Sequence, residues 1–287
     1  MKAEDKLNLG EFYKELRLAR GIKQKEVARD GLSVSQLSKF ETGQSMLSAD
    51  KLLIAIEGIH MTFEEFGYAL YNYQKPLFVR EAEKINELFQ AQDKQGLINL
   101  KEKYKQSDTC SFLNYAIVKN ILYILDGSSE LASGEERERV THYLYSIEDW
   151  TNYELYVFGN TIPFLSDEDI VFLGKEFLPK VVLYGELPDM RRKVKQILIN
   201  LISEFVDRDI YYYVDYFAEK LQNILTYQDI FEQILLTFLK MCADYKMSKL
   251  ALAELEAYVK GLEILNNPEL LTILKLRIMN LNRDKND

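Results

Sequence analysis

Apolar residues recur along this chain with helical spacing, and runs of strand-like alternation are almost absent. Leu9, Phe12, Leu16 and Ala19 stand at offsets of 3, 4 and 3, which predicts a helix over Leu9 to Arg20 with one apolar face, ended by Gly21. QKEVAR, from Gln24 to Arg29, predicts a second short helix with Val27 and Ala28 inward, broken at Asp30-Gly31. A third begins at Ser33, whose side chain can accept an orphan backbone N–H, and runs through VSQLSKFE to Gly43 with Leu37 and Phe40 as its buried pair. Ser48 caps ADKLLIAIE, and Thr62 caps FEEFGYAL with Glu65 at the capping-box spacing. Five short helices therefore fit between residues 7 and about 72.

Beyond Gln74-Lys75-Pro76, the first proline and a plausible boundary, helical periodicity continues in segments such as DIVFLGKEFLPKVV, RKVKQILINLISEFV, FEQILLTFLKMCADYK and ELLTILKLRIMNL. Breaks are expected at 127–129, Ser133-Gly134, Asn160, Gly185 with Pro188, Thr226 and Asn266-Asn267-Pro268. About ten or eleven helices joined by short turns follow, and paired helices at a period near 35 to 40 residues predict an irregular TPR-like stack. A strict repeat consensus is missing; LALAELEAYVKGLEILNN comes nearest. The expected fold class is all-α: a helix-turn-helix domain over 1–66, a linker over 67–76 and a helical repeat domain over 77–287.

Composition narrows the function. Of 287 residues, 47% are hydrophobic and 28% charged, enough to bury a core. No stretch approaches 18 apolar residues without a charge, and MKAEDKLNLG lacks a signal-peptide pattern, so a cytoplasmic protein with no membrane partner is expected. Cys110, Cys242, His60 and His142 are too few for a metal site, and GxSxG, P-loop and GxGxxG patterns are lacking, so neither a metal, a cofactor nor an enzyme is expected. The net charge of −9 argues against indiscriminate nucleic-acid binding, but residues 14–39 alone carry seven basic and three acidic side chains. A small basic head sits on a large acidic body.

Within that head, LRLARGIKQKEVARDGLSVSQLSKFETGQ is similar to the helix-turn-helix of the XRE family, in Arg20-Gly21, Gln24, Val27-Ala28, Leu37, Phe40 and Glu41-Thr42-Gly43. A recognition helix must offer small or polar side chains to base edges while neighbouring groups hold the backbone. Here Val34, Ser35 and Lys39 would face bases: Val34 a thymine methyl, Ser35 several bases, Lys39 guanine O6 and N7. Arg17, Arg20, Lys23, Gln24 and Gln44 would serve the phosphates, with the dipole of the second helix added.

The pairing of this head with the helical body resembles the Rgg family of transcriptional regulators, through QLSKFETGQ in the head and SIEDWTNYELYVFGNTIPFLSDEDI in the body. That resemblance implies a homodimer on double-stranded promoter DNA and a helical pocket for a short signalling peptide. Asparagine suits an extended peptide because its amide both donates and accepts. The candidates are Asn152, Asn160 and Asn200, with Tyr153, Tyr156, Tyr211, Tyr212 and Tyr213 for apolar groups and Arg191 and Arg192 for a carboxylate. Each of these residue types also serves ordinarily as a cap, a solvated residue or core. The apolar run Leu270, Leu271, Ile273, Leu274, Leu276, Ile278, Met279 and Leu281 is the expected dimer seam. The rival function is an XRE-type repressor or antitoxin whose body binds a partner protein or small molecule.

Overall fold

A computed structural model describes residues 8–104, 108–126, 132–180 and 187–286. The breaks expected at 127–129 and at Gly185 lie outside them. Among the described residues the chain is α-helical, and the one β-type pairing is an isolated bridge between Arg29 and Leu32. The chain forms two compact units, residues 1–83 and 84–287.

The first unit holds α1 (Leu9–Ala19), α2 (Gln24–Val27), α3 (Val34–Glu41), α4 (Ala49–Gly58) and α5 (Phe63–Leu70). Two of the expected caps are present, Ser33 accepting from the Gln36 amide and Thr62 from that of Glu65, whereas Ser48, at the N-cap position of α4, makes no capping hydrogen bond with its side chain. α2 stops at Val27, short of Arg29. The buried face of α1 is turned from the expected one. Gly10, Tyr13 and Arg17 are buried, Leu9, Phe12 and Leu16 only half-buried, and Ala19 exposed. The cause is the α1–α3 crossing: a Cβ on Gly10 would lie 1.8 Å from the Phe40 carbonyl oxygen, so only glycine permits the two backbones to meet. Tyr13 then packs on Phe40 and donates its hydroxyl to the Ala55 carbonyl at 2.9 Å. Val27, Leu32, Leu37, Ile56, Ile59 and Phe66 complete this core.

α6 (Leu77–Gln90) leads into the second unit, which continues as α7 (Lys94–Tyr104), α8 (Thr109–Asp126), α9 (Gly134–Ser146), α10 (Asn152–Thr161), α11 (Asp167–Lys180), α12 (Pro188–Asp207), α13 (Tyr211–Gln222), α14 (Ile230–Lys246), α15 (Leu252–Gly261) and α16 (Pro268–Asn286). Helices α8, α10, α12, α14 and α16 are successive neighbours in one layer, and α9, α11, α13 and α15 pack between and against them. This is the expected helical repeat. Trp150, Phe158 and Phe177 cluster at its middle, with Phe205 stacked on Phe217 at 5.4 Å. Burying each such side chain contributes about 1.5–3 kcal/mol. Three cations close the C-terminal end of α12: Lys246 donates to the Val206 and Asp207 carbonyls, Arg277 pairs with Asp207, and Arg208 pairs with Glu204 while reaching the Pro163 and Leu165 carbonyls. Cations are favoured there by the helix dipole.

Two expectations change. Asn160, expected at a break, lies within the last turn of α10, and the break follows as a 3-10 turn, Ile162–Phe164. The apolar run of α16 is not one seam: Leu270, Leu274, Ile278 and Leu281 are buried within the unit, whereas Ile273, Leu276 and Met279 are exposed. Among the described residues no helix is long and apolar enough to cross a membrane.

Candidate functional site

α3 is divided lengthwise. Leu37, Phe40 and Glu41 face the core of the first unit, Ser35 and Lys39 are exposed on the opposite side, and Val34, one turn before Leu37, is exposed at the N-terminal tip. The spacing of 3.6 residues per turn sets Ser35 and Lys39 opposite Leu37 and Phe40, and Val34 is left open because it is the first residue of the helix. Ser33 and Gln36 cap each other reciprocally, which ties up Gln36 and leaves Val34 and Ser35 as the outward pair at the tip. Gln44, just beyond the left-handed Gly43, and Arg20 and Lys23, at the α1–α2 turn, are exposed too.

Arg17 is placed elsewhere. It is buried, with Nε and Nη2 on the two Glu41 carboxylate oxygens at 2.6 and 2.7 Å and Nη1 on the Ile22 carbonyl at 2.6 Å. Gln24, half-buried, donates to the same carboxylate at 2.8 Å. The hydrogen bonds to Glu41 hold the Arg17 guanidinium above its ordinary range. Arg17 therefore positions α3 from behind: its side chain is 6% exposed and three of its five N–H donors are spent inside the unit, which keeps it from a phosphate, and Gln24 spends an amide hydrogen on the same task. Glu41, expected only as part of a motif, is the hub of this network.

In the second unit, three asparagines converge on the C-terminal half of α10. Asn160 Nδ2 donates to the Tyr156 carbonyl at 2.8 Å, Asn120 Nδ2 of α8 to the Asn160 carbonyl at 2.9 Å, and Asn200 Nδ2 of α12 to the Gly159 carbonyl at 3.3 Å. A carbonyl can only accept, so each amide nitrogen must face α10, and each side-chain oxygen is left without a hydrogen-bond partner among the described residues. For Asn120, which is 2% exposed, that oxygen is a buried orphan. Tyr156, half-buried, stands one turn before Asn160. The Asn152 oxygen accepts from Lys193 Nζ at 3.0 Å, and burial lowers the Lys193 pKa. Arg191 and Arg192 are exposed, the latter beside Asp189 at 3.2 Å. Burial raises the pKa of Tyr153, half-buried on α10. The structure puts Tyr213 in the other layer, against Phe205 with Lys175 Nζ 4.9 Å from its ring centre; Tyr211 bonds Asp209, and Tyr212 is 75% exposed.

The family model described as HTH-type transcriptional regulator Rgg, C-terminal domain, matches residues 97–275, and a helix-turn-helix model matches residues 14–66. The chain belongs to the Rgg family. Similar solved structures include the SHP pheromone receptor Rgg2 of Streptococcus dysgalactiae, with a TM-score of 0.77 and 22% identity over 95% of this chain and 99% of that one. The PrgX/cCF10 complex gives a TM-score of 0.68 at 16% identity over 96% and 93%. A protein of Listeria monocytogenes EGD-e gives 0.78 at 19% over 97% and 98%.

For this Rgg chain, sequence reasoning missed Asn120. The signal was present: Asn120, Asn160 and Asn200 lie forty residues apart, at one repeat period, so they occupy matching places on three neighbouring helices.

Proposed function

We propose that this chain is a cytoplasmic, peptide-responsive transcriptional regulator. As a homodimer it reads promoter DNA with Val34, Ser35 and Lys39 of α3, with Arg20, Lys23 and Gln44 on the phosphates. A short signalling peptide lies along α8, α10 and α12. The observation that carries the peptide reading is the set of three asparagine oxygens left unpaired around α10, acceptors for the N–H groups of an extended backbone. Two solved relatives of the same fold, a pheromone receptor and a complex with cCF10, support it. Homodimerisation is supported by the size of the head, because one short helix-turn-helix buries too little for tight specific binding, and two heads about 34 Å apart span one DNA turn.

The test is mass spectrometry of peptides released from the protein purified from its native host, followed by anisotropy titration of the labelled peptide. Saturable binding that shifts the mobility of a promoter complex supports the proposal. Recovery of a stably bound partner protein and no peptide would instead support a repressor or antitoxin and overturn the peptide reading.

A further inference from the structure

The spare hydrogen-bonding groups around α10 change character along its length. At its C-terminal half the Asn120, Asn160 and Asn200 amides spend N–H groups on α10 carbonyls, so oxygens are left over, and these accept. At its first turn the orientation reverses. Asn152 gives its oxygen to Lys193 Nζ of α12 at 3.0 Å, which leaves the Asn152 Nδ2 and the further N–H groups of the ammonium, and these donate. Lys193 is half-buried and forms no ion pair among the described residues; its hydrogen-bond partner there is a neutral amide. Burial, more than any neighbouring charge, lowers its pKa: the ammonium has lost water without gaining a carboxylate. Lys193 also shares one face of α12 with Asn200, since seven residues return the helix to within about 20° and advance it by about 10 Å.

We infer that Lys193 and Asn152 form an anion-recognising end of the peptide site and take a carboxylate of the ligand, one oxygen on the ammonium and the other on the Asn152 amide. The inference rests on the peptide reading and adds the class of peptide. An extended chain advances ~3.4 Å per residue, so the carboxylate stands about three residues from the backbone stretch that pairs with the asparagine oxygens. A carboxylate supplies what each group lacks, a counter-charge for Lys193 and an acceptor for Asn152, through hydrogen bonds strengthened by charge. Arg191 and Arg192, expected from the sequence to hold such a group, are exposed, and Arg192 already has Asp189 at 3.2 Å. The carboxylate comes from the peptide's C-terminus or from an Asp or Glu side chain.

The test uses the full chain and synthetic copies of the peptide released from it: the free acid, the C-terminal amide, and copies with each Asp or Glu changed to Asn or Gln. Competition against the labelled parent peptide, followed by anisotropy, reads the affinities. One neutralisation is expected to weaken binding to the unmodified chain by about tenfold, and which one it is tells a terminal carboxylate from a side-chain one. On Lys193→Gln the same neutralisation costs less than about twofold. Asn152→Asp gives Lys193 a carboxylate of its own, and there the neutral peptide binds at least as well as the acid. Lys249→Gln, exposed just after α14, keeps the preference of the unmodified chain. Circular dichroism confirms folding, and Asn200→Ala reports on the peptide site itself. If no neutralisation matters, or if it costs the same on Lys193→Gln as on the unmodified chain, the subsite falls, while weaker binding to Asn200→Ala leaves the peptide reading standing. If no peptide is released from the protein or binds to it, both fall.

Discussion

Arg17 and Glu41, one on α1 and the other at the end of α3, form a bidentate ion pair with side chains 6% and 1% exposed. Gln24 donates to the same carboxylate and the Ile22 carbonyl accepts from Arg17 Nη1, so each partner of the pair carries a further hydrogen bond. It joins α1, the α1–α2 turn, α2 and α3 into one body behind the outward face of α3.

Removing one partner of such a pair leaves a buried charge uncompensated and costs about 3–5 kcal/mol. Arg17→Ala is therefore expected to unfold the first unit at lower temperature and to abolish binding to all DNA sequences alike. Thermal denaturation separates this from phosphate contact: an Arg17→Ala variant with unchanged melting and a merely flattened salt dependence would return Arg17 to the phosphates.

Lys39, exposed on α3, behaves differently. Lys39→Ala is expected to leave melting unchanged, cost about 1–3 kcal/mol in promoter binding and relax preference at one base pair. Arg20→Ala weakens promoter and random DNA equally and reduces the salt slope by about one. Mobility-shift titrations at several salt concentrations check both, and an unchanged base preference in Lys39→Ala would remove it from the base-contacting set.

For the peptide site, Asn200→Ala and Asn120→Ala are expected to weaken binding by about 1–3 kcal/mol, because each removes an acceptor from a half-buried or buried position. Tyr156→Phe changes affinity by less than about 0.5 kcal/mol if the ring alone packs on the ligand. The readout is anisotropy with the peptide recovered from the protein, and folded asparagine variants binding within about twofold of the unmodified chain would place the pocket elsewhere.

Asp229 supplies a pH test. It accepts from Lys195 Nζ at 2.5 Å and from the Thr226 amide and hydroxyl, and these bonds, led by Lys195, lower its pKa to about 2. With a folded pKa below the unfolded value of about 3.9, its contribution to stability is complete above that value and is lost as pH falls from about 4 to 2. Asp229→Asn is expected to melt lower than the unmodified chain at pH 7, since it leaves the Lys195 ammonium buried without its counter-charge, and to show a smaller loss of stability between pH 4 and 2. Denaturant unfolding at the two pH values measures it; equal acid slopes would show that the pair contributes nothing.

Element type and order were legible because apolar periodicity, Ser33 and Thr62 caps and turn residues act over a few neighbours, and these local terms agree with the fold. The all-α class, the helix-turn-helix head and the repeat body follow from them. The sequence also carried the forty-residue spacing of Asn120, Asn160 and Asn200, a repeat signal independent of side-chain direction. What tertiary structure alone decided is which way side chains turn when helices meet. Periodicity put Arg17 on the outer side of α1, but the backbone contact at Gly10 rotates the helix until Arg17 is enclosed by Glu41. Periodicity likewise treated the apolar residues of α16 as one surface, and only packing on α14 and α15 divides them into an inner face at Leu274 and Ile278 and an outer one at Leu276. A helix records in its sequence how many apolar faces it has; which neighbour covers each is set by contacts between residues far apart along the chain.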